Sequence, residues 1–193
     1  MPDDPWVLVD PDLAVGLLGT LRSRGDALAG DDLPEDPEAI AWVARHVDAG
    51  GAGGGDDRAD LLALREQLRD LFTATVDGDP PPPGSVEALN DLAAAAPVNL
   101  AARRTGGDDG TAGVIVERSS PGDPGTVLRA EAARSALALL AAPARDRLRL
   151  CRAPGCSLFF LTDLRRQQWC SADCGNRARV ARHYTRRHHP QPG

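Results

Sequence analysis

All four cysteines of this 193-residue chain lie in one short stretch, spaced Cys151-x4-Cys156, then thirteen residues, then Cys170-x3-Cys174. Nothing else in the sequence constrains the fold as tightly. Two close pairs joined by a short segment are what a tetrahedral metal site needs, each pair spanning one tight turn. Thiolate is a soft ligand, and four of them close the shell of one zinc ion. A closed shell leaves no position for a substrate water, so the expected metal is a single structural Zn2+. Two disulfides are the competing reading. They suit an oxidising compartment, whereas the N-terminus Met1-Pro2-Asp3-Asp4-Pro5 lacks the basic-then-apolar pattern of a secretory signal. The expected location is therefore cytoplasmic, and at the nucleoid for a DNA-binding protein. His183, His188 and His189 lie beyond a ligand set that the cysteines already complete.

The local sequence suggests how the cysteines are held. Arg152-Ala153-Pro154-Gly155 is a turn by composition. Phe159-Phe160 and Gln167-Gln168-Trp169 are the expected arms of a hairpin. Ser171 suits an N-cap, and Asp173 suits the positive end of a helix that carries Cys174. A knuckle, a hairpin and a ligand-bearing helix make a treble-clef-like finger.

Charge sets this part apart from the rest. Residues 151–193 carry eight Arg against two Asp, whereas residues 1–150 carry fourteen Arg against 26 acidic residues. The overall charge of −6 hides that split. An acidic body with a basic end is a two-part design, expected here as residues 1–145 and 146–193. Every basic residue other than His is Arg, a compositional bias that carries no functional weight. Aromatics are only 4% of the chain, so its core must rest on Ala, Leu and Val. No apolar run is long enough for a membrane span.

The body reads as mainly α with one small β-hairpin. Helices are expected over 13–24, from the Asp36-Pro37-Glu38 start to 47, and from Asp57 or Asp60 to Gly78. Further helices are expected from Ser85, as cap, to 95, and over 127–142 up to Pro143. The run of glycines at 50–55 reads as a linker and Pro80 to Pro83 as a polyproline spacer. Residues 98–103 and 112–118 read as two strands around a glycine-rich turn. No catalytic constellation is present. His46 is the body's only histidine and sits beside an apolar stripe, and the glycine runs lack a phosphate-loop Lys. The expectation is that the protein is not an enzyme.

Trp169-Cys170-Ser171 followed by Cys174-Gly175-Asn176-Arg177, with Leu150-Cys151, Leu158-Phe159 and Arg165-Arg166, resembles the CGNR zinc-finger family over about 148–187. Those proteins join this finger to an N-terminal ABATE domain and are described as stress-induced transcription regulators. The body is similar to ABATE at Leu64-Arg65-Glu66-Gln67-Leu68-Arg69 and at Ala88-Leu89-Asn90. The family's early motif Leu-Ala-Leu-Asp-Phe-Val-Asn-Thr is met by Leu13-Ala14-Val15-Gly16-Leu17-Leu18-Gly19-Thr20, with Gly in place of its Asp and Asn. The resemblance implies that Cys151, Cys156, Cys170 and Cys174 are the zinc ligands.

With Cys174 facing inward and 100° per residue, Ala178, Ala181 and Thr185 fall on the inner face, and Tyr184 beside them is expected against the hairpin. Asn176, Arg179, Arg182, His183, Arg186 and Arg187 fall on the opposite face. Arg forks onto phosphate or guanine and Asn pairs with adenine, so this face suits DNA. Arg177, at the edge of the inner face, is expected to brace the finger. The leading expectation is a zinc-finger DNA-binding regulator whose body senses a signal or forms a homodimer. The alternative is a module in which the finger docks a protein partner. The sequence names neither the effector nor the DNA target.

Overall fold

The computed structural model describes residues 12–19, 55–106 and 112–188. The expected helix from Asp36 to 47, most of the glycine linker and the hairpin's turn lie outside them. The elements run α1 (Asp12–Gly19), α2 (Gly55–Asp77), α3 (Ser85–Ala95), β1 (Asn99–Gly106), β2 (Ala112–Ser119), α4 (Pro124–Leu140), a 3-10 turn (Ala144–Arg147), β3 (Leu148–Leu150), β4 (Phe159–Leu161) and α5 (Ala172–His188). The chain is mainly helical with two small antiparallel sheets, as the sequence leads one to expect.

Apolar spacing decides which faces meet. Leu13, Ala14, Leu17 and Leu18 of α1 are buried against the stripe Leu61, Leu64, Leu68, Leu71 and Phe72 of α2 and against α4. On α4 the inward residues include Ala130, Ala132, Ala133 and Ala136, all fully buried. Small side chains let helices pack closely, which is how a chain this poor in aromatics fills its core. The Ala14 amide, one of the donors left open in the first turn of α1, donates to the buried Ser135 Oγ of α4 at 2.9 Å.

Helix ends follow their local chemistry. At the end of α2, Gly78 has φ +78°, and the Asp79 amide donates to the Ala74 carbonyl at 2.8 Å. This is the left-handed glycine closure of a helix C-terminus. The helix includes Gly55, two residues before Asp57 and five before Asp60. Ser85 does not cap α3. Gly84, at φ 75°, is the capping residue, and the Ser85 hydroxyl turns back to donate to the Pro82 carbonyl at 2.7 Å. The first turn of α4 is set by Asp123, whose Oδ1 accepts from the Thr126 amide at 2.9 Å, with Pro124 at the first helical position. Hydrogen bonds from the Thr126 hydroxyl and then its amide hold the Asp123 carboxyl below its usual range.

The β1–β2 hairpin forms as expected, with Ala102 opposite Val116 and Leu100 opposite Arg118. It is tied to the body at its base. Arg118 Nη2 donates to Glu131 Oε2 of α4 at 2.6 Å. Arg134 Nη2 donates to Glu131 Oε1 at 2.7 Å. Arg134 Nη1 also donates to the Ala93 and Ala96 carbonyls at 2.6 and 2.8 Å, closing the C-terminal end of α3.

One expectation about the C-terminal part needs correction. Phe159 to Leu161 pairs with β3, Leu148 opposite Leu161 and Leu150 opposite Phe159, and residues 167–169 form no strand. The hairpin therefore encloses the first cysteine pair and does not lead to the second. Leu148 and Phe159 belong to the same buried cluster as α1, α2 and α4. No helix among the described residues is long and apolar enough to cross a membrane.

Candidate metal centre

The first cysteine pair is shaped by backbone hydrogen bonds. The Cys151 amide donates to the Leu158 carbonyl at 2.9 Å, and the Cys156 amide to the Ala153 carbonyl at 3.0 Å. Gly155, at φ +67°, makes the turn between Pro154 and Cys156. A residue with a Cβ is disfavoured in that left-handed conformation. The second pair is set by the start of α5. Ser171 Oγ accepts from the Cys174 amide at 3.2 Å, and the Ser171 carbonyl accepts from the Gly175 amide at 3.1 Å. Ser171 is thus the expected N-cap, and it places Cys174 in the first turn.

These two turns bring four thiols together with no disulfide between them. Their sulfur atoms all lie within 4.8 Å of one another. Cys156 Sγ is 3.8 Å from Cys170 Sγ, and Cys170 Sγ is 3.5 Å from Cys174 Sγ. A zinc–sulfur bond of about 2.3 Å puts the corners of a regular tetrahedron about 3.8 Å apart. The donor set therefore fits one zinc ion in both chemistry and size.

The electrostatics point the same way. Burial pushes the Cys156 thiol up to about 11, and burial and neighbouring thiols push Cys170 up as well. At Cys174 burial is outweighed by hydrogen bonds from Ser171 and the other thiols, which bring it down to about 7. Four neighbouring thiolates need a cation to offset their charge. One positive group already faces them. Arg177 Nη2 donates to Cys174 Sγ at 2.9 Å, and the Cys170 amide donates to Cys151 Sγ at 3.5 Å. Arg177 braces the centre as expected.

Gly175 has its own reason. A Cβ at this position would stand 3.0 Å from Trp169 Cδ1, and Trp169 packs on the cysteine cluster. The glycine lets the indole lie against the first turn of α5. Sequence reading found the motif without this cause. The signal for it was the aromatic directly before Cys170.

The loop between β4 and the second pair is ordered by Thr162. Its Oγ1 accepts from the Leu164 amide at 3.0 Å and donates to Gln167 Oε1 at 2.7 Å. Two ion pairs were not legible in sequence. Arg152 pairs with Asp77 at the end of α2 and links the finger to the body, and within the finger Arg147 Nε lies 2.9 Å from Asp163 Oδ1.

Along α5, Cys174 and Ala178 are buried as expected. Asn176, Arg179, Arg182, His183, Arg186 and Arg187 are all exposed. Arg179 Nη2 donates to Asn176 Oδ1 at 2.6 Å, Arg182 Nε to the Ala178 carbonyl at 3.2 Å, and Arg186 Nε to the Arg182 carbonyl at 3.4 Å. Thr185 and Tyr184 do not turn inward. Thr185 is exposed and Tyr184 is 64% exposed. From Arg182 to Arg187 every residue of α5 is exposed.

Comparison with known families gives two matches. The ABATE model, described as "Putative stress-induced transcription regulator", matches residues 11–143. The CGNR zinc finger matches residues 147–187. No curated protein matches the chain.

Proposed function

Since the chain belongs to the ABATE family and ends in a CGNR zinc finger, we propose that it is a transcription regulator that binds duplex DNA through α5. One structural zinc, held by Cys151, Cys156, Cys170 and Cys174, fixes the start of that helix. The observation that carries the reading is the outer face of α5, on which Asn176, Arg179, Arg182, His183, Arg186 and Arg187 are all exposed. Guanidinium groups on one face of a helix match phosphate and guanine edges, and an amide matches adenine. The acidic body repels DNA and leaves the finger as the contact surface.

Arg177 is absent from this contact set because its guanidinium is turned to a ligand sulfur. It neutralises thiolate charge and orients Cys174. Asn176 and Arg179 lie nearest the start of the helix, where recognition helices commonly meet base edges. Arg182, Arg186 and Arg187 follow along the phosphates. A single finger covers roughly 600–1,000 Å² of protein surface on DNA, so tight binding calls for a dimer and two half-sites. In this reading the body supplies the signal response, the dimer contact or both, and the protein works at the nucleoid as a regulator with no catalysis of its own.

Selection of bound sequences from a random duplex pool, with the zinc-loaded chain as bait, tests the proposal. Enrichment of one motif, lost in Arg179→Ala protein of unchanged zinc content, supports it. Failure of the parent to enrich any duplex removes the DNA reading and favours a finger that docks a protein partner.

A further inference from the structure

A second basic feature lies away from α5, where the body meets the finger. Thr75 and Val76 from the end of α2, Arg145 and Asp146 from the 3-10 turn, Leu148 and Arg149 from β3, and Arg165 from the finger loop line an open cleft of about 490 Å³. Three arginines against one aspartate give it a net positive charge.

The arginines are positioned on ordered backbone. Arg149 Nη1 donates to the Asp146 and Leu148 carbonyls at 2.7 and 2.8 Å. That uses both hydrogens of one nitrogen and leaves the Nε and Nη2 donors. Arg165 sits in the turn closed by the Gln167 amide donating to the Leu164 carbonyl at 2.9 Å. Arg145 and Arg165 form no ion pair with any described residue, and each is exposed. Three guanidinium groups, one of them pinned, offer a fork of donors to a compact anion.

The acceptors in the cleft narrow the ligand. Thr75 Oγ1 gives its proton to the Leu71 carbonyl at 2.7 Å, so it presents lone pairs. The Asp146 carboxylate adds two acceptor oxygens. Val76 and Leu148 supply an apolar wall. A concave site with both charges and an apolar wall suits a small molecule better than the backbone of a nucleic acid, which meets uniformly basic surfaces.

We propose that this cleft binds a small phosphate-bearing metabolite that also carries a hydroxyl or amine donor, and that it is the effector site of the protein. Its walls come from α2 on one side and from the finger loop on the other. A ligand there ties the body to the part that holds the cysteines. The proposal is independent of what α5 binds, since it is read without DNA.

Inorganic pyrophosphate is the probe. It is titrated into full-length, zinc-loaded protein by calorimetry and by thermal unfolding, with ionic strength fixed by sodium chloride. The expected result is one saturable site and a rise in midpoint temperature. Arg145→Gln and Arg165→Gln each weaken binding by roughly tenfold, the value of one charge-assisted hydrogen bond. Asp146→Asn should tighten it, a gain that no folding defect produces. Pyrophosphate acting only as sodium chloride does, or binding parent and variants alike, overturns the site. A DNA phosphate in the cleft is tested separately: Arg165→Gln would then flatten the salt dependence of duplex binding in the absence of pyrophosphate. That result overturns the small-molecule assignment, whereas unchanged duplex binding with lost pyrophosphate binding supports it.

Discussion

The rings of Phe72 in α2 and Phe159 in β4 meet edge to face, centroids 5.9 Å apart and planes at 74°. Phe72 belongs to the body and Phe159 to the hairpin that holds the first cysteine pair. Both are buried. The metal-bearing hairpin is thus anchored in the body's own core, and what disturbs one part is felt by the other.

The first prediction follows from that contact. Phe159→Ala leaves a cavity between α1, α2 and β4 and should cost about 3–5 kcal/mol. Total stability is of the order of 5–15 kcal/mol, so a large share of it is at risk. Urea unfolding followed by circular dichroism should show one transition, shifted to lower urea. A chain cut after residue 150 should lose its cooperative unfolding, because it retains Phe72 without its partner. An unshifted, cooperative transition in the truncated chain would show that the core closes without β4.

Zinc removal gives the second prediction. The freshly purified protein should contain one zinc per chain. Structural zinc contributes folding free energy outright. Chelation should release the second cysteine pair and α5, and through Phe159 and Leu148 it should also lower the melting temperature of the body. Metal analysis and thermal unfolding of the chelated protein check both parts. A body whose midpoint is indifferent to chelation would argue that the hairpin holds its place without metal.

Much of this centre was legible in advance, and the reasons are local. The cysteine spacing, Ser171 as a cap and the basic face of α5 each depend on residues within a few positions of one another. The β1–β2 hairpin was legible for the same reason. The partner of Phe159 was not. β3 is three residues long, too short for a period to show, and its pairing is decided by burial of Leu148 and Phe159 against α2. The start of α4 was readable from Asp123-Pro124, the pattern recognised at Asp36-Pro37, and the apolar run from Val127 drew attention past it. Ser85 has the composition of a cap, but the left-handed Gly84 before it takes that place.

A third prediction concerns pH. Burial alone would raise the Glu131 carboxyl, but hydrogen bonds from Arg134 and Arg118 hold it below the ordinary 4.5. A depressed folded value means that its stabilisation is complete above the unfolded value. It is lost as pH falls through the folded one. Glu131→Gln should therefore destabilise the protein at neutral pH by about 1.5–3 kcal/mol, the range for a hydrogen bond to a charged group. The gap between parent and variant should close below pH 4.5, measured as urea midpoints across the acid range. A gap that stays constant into strong acid would show that the charge on Glu131 contributes nothing.

The fourth prediction tests the glycine of the CGNR motif. Gly175→Ala would gain helix propensity, up to about 1 kcal/mol. It would also press a methyl group against Trp169, 3.0 Å away, and Trp169 is bonded to Cys170. The ring must give way by a few tenths of an ångström, and the ligand next to it is expected to move with it. Zinc affinity, read by competition with a chromophoric chelator, should fall in Gly175→Ala and further in Gly175→Val. Unchanged zinc affinity in both would mean that the indole moves without Cys170.

The last prediction separates recognition from folding along α5. Asn176 and Arg179 are joined by a 2.6 Å hydrogen bond, so they should act on DNA as a unit. Residues in contact depart from additivity by about 0.5–3 kcal/mol. In a double-mutant cycle on the selected duplex, Asn176→Ala and Arg179→Ala should each relax specificity at neighbouring base pairs. The double variant should lose less than the two single losses combined. Arg186→Ala makes the contrast. A phosphate contact carries no sequence information, so its loss should weaken all duplexes alike and flatten the slope of log K against log salt by about one unit. Arg177→Ala is different again. Its guanidinium faces Cys174 Sγ, so zinc retention should fall and DNA binding should recover when zinc is in excess. If Asn176→Ala and Arg179→Ala instead add fully and shift only the salt slope, the start of α5 lies on the phosphates. Base reading would then have to come from elsewhere in the finger.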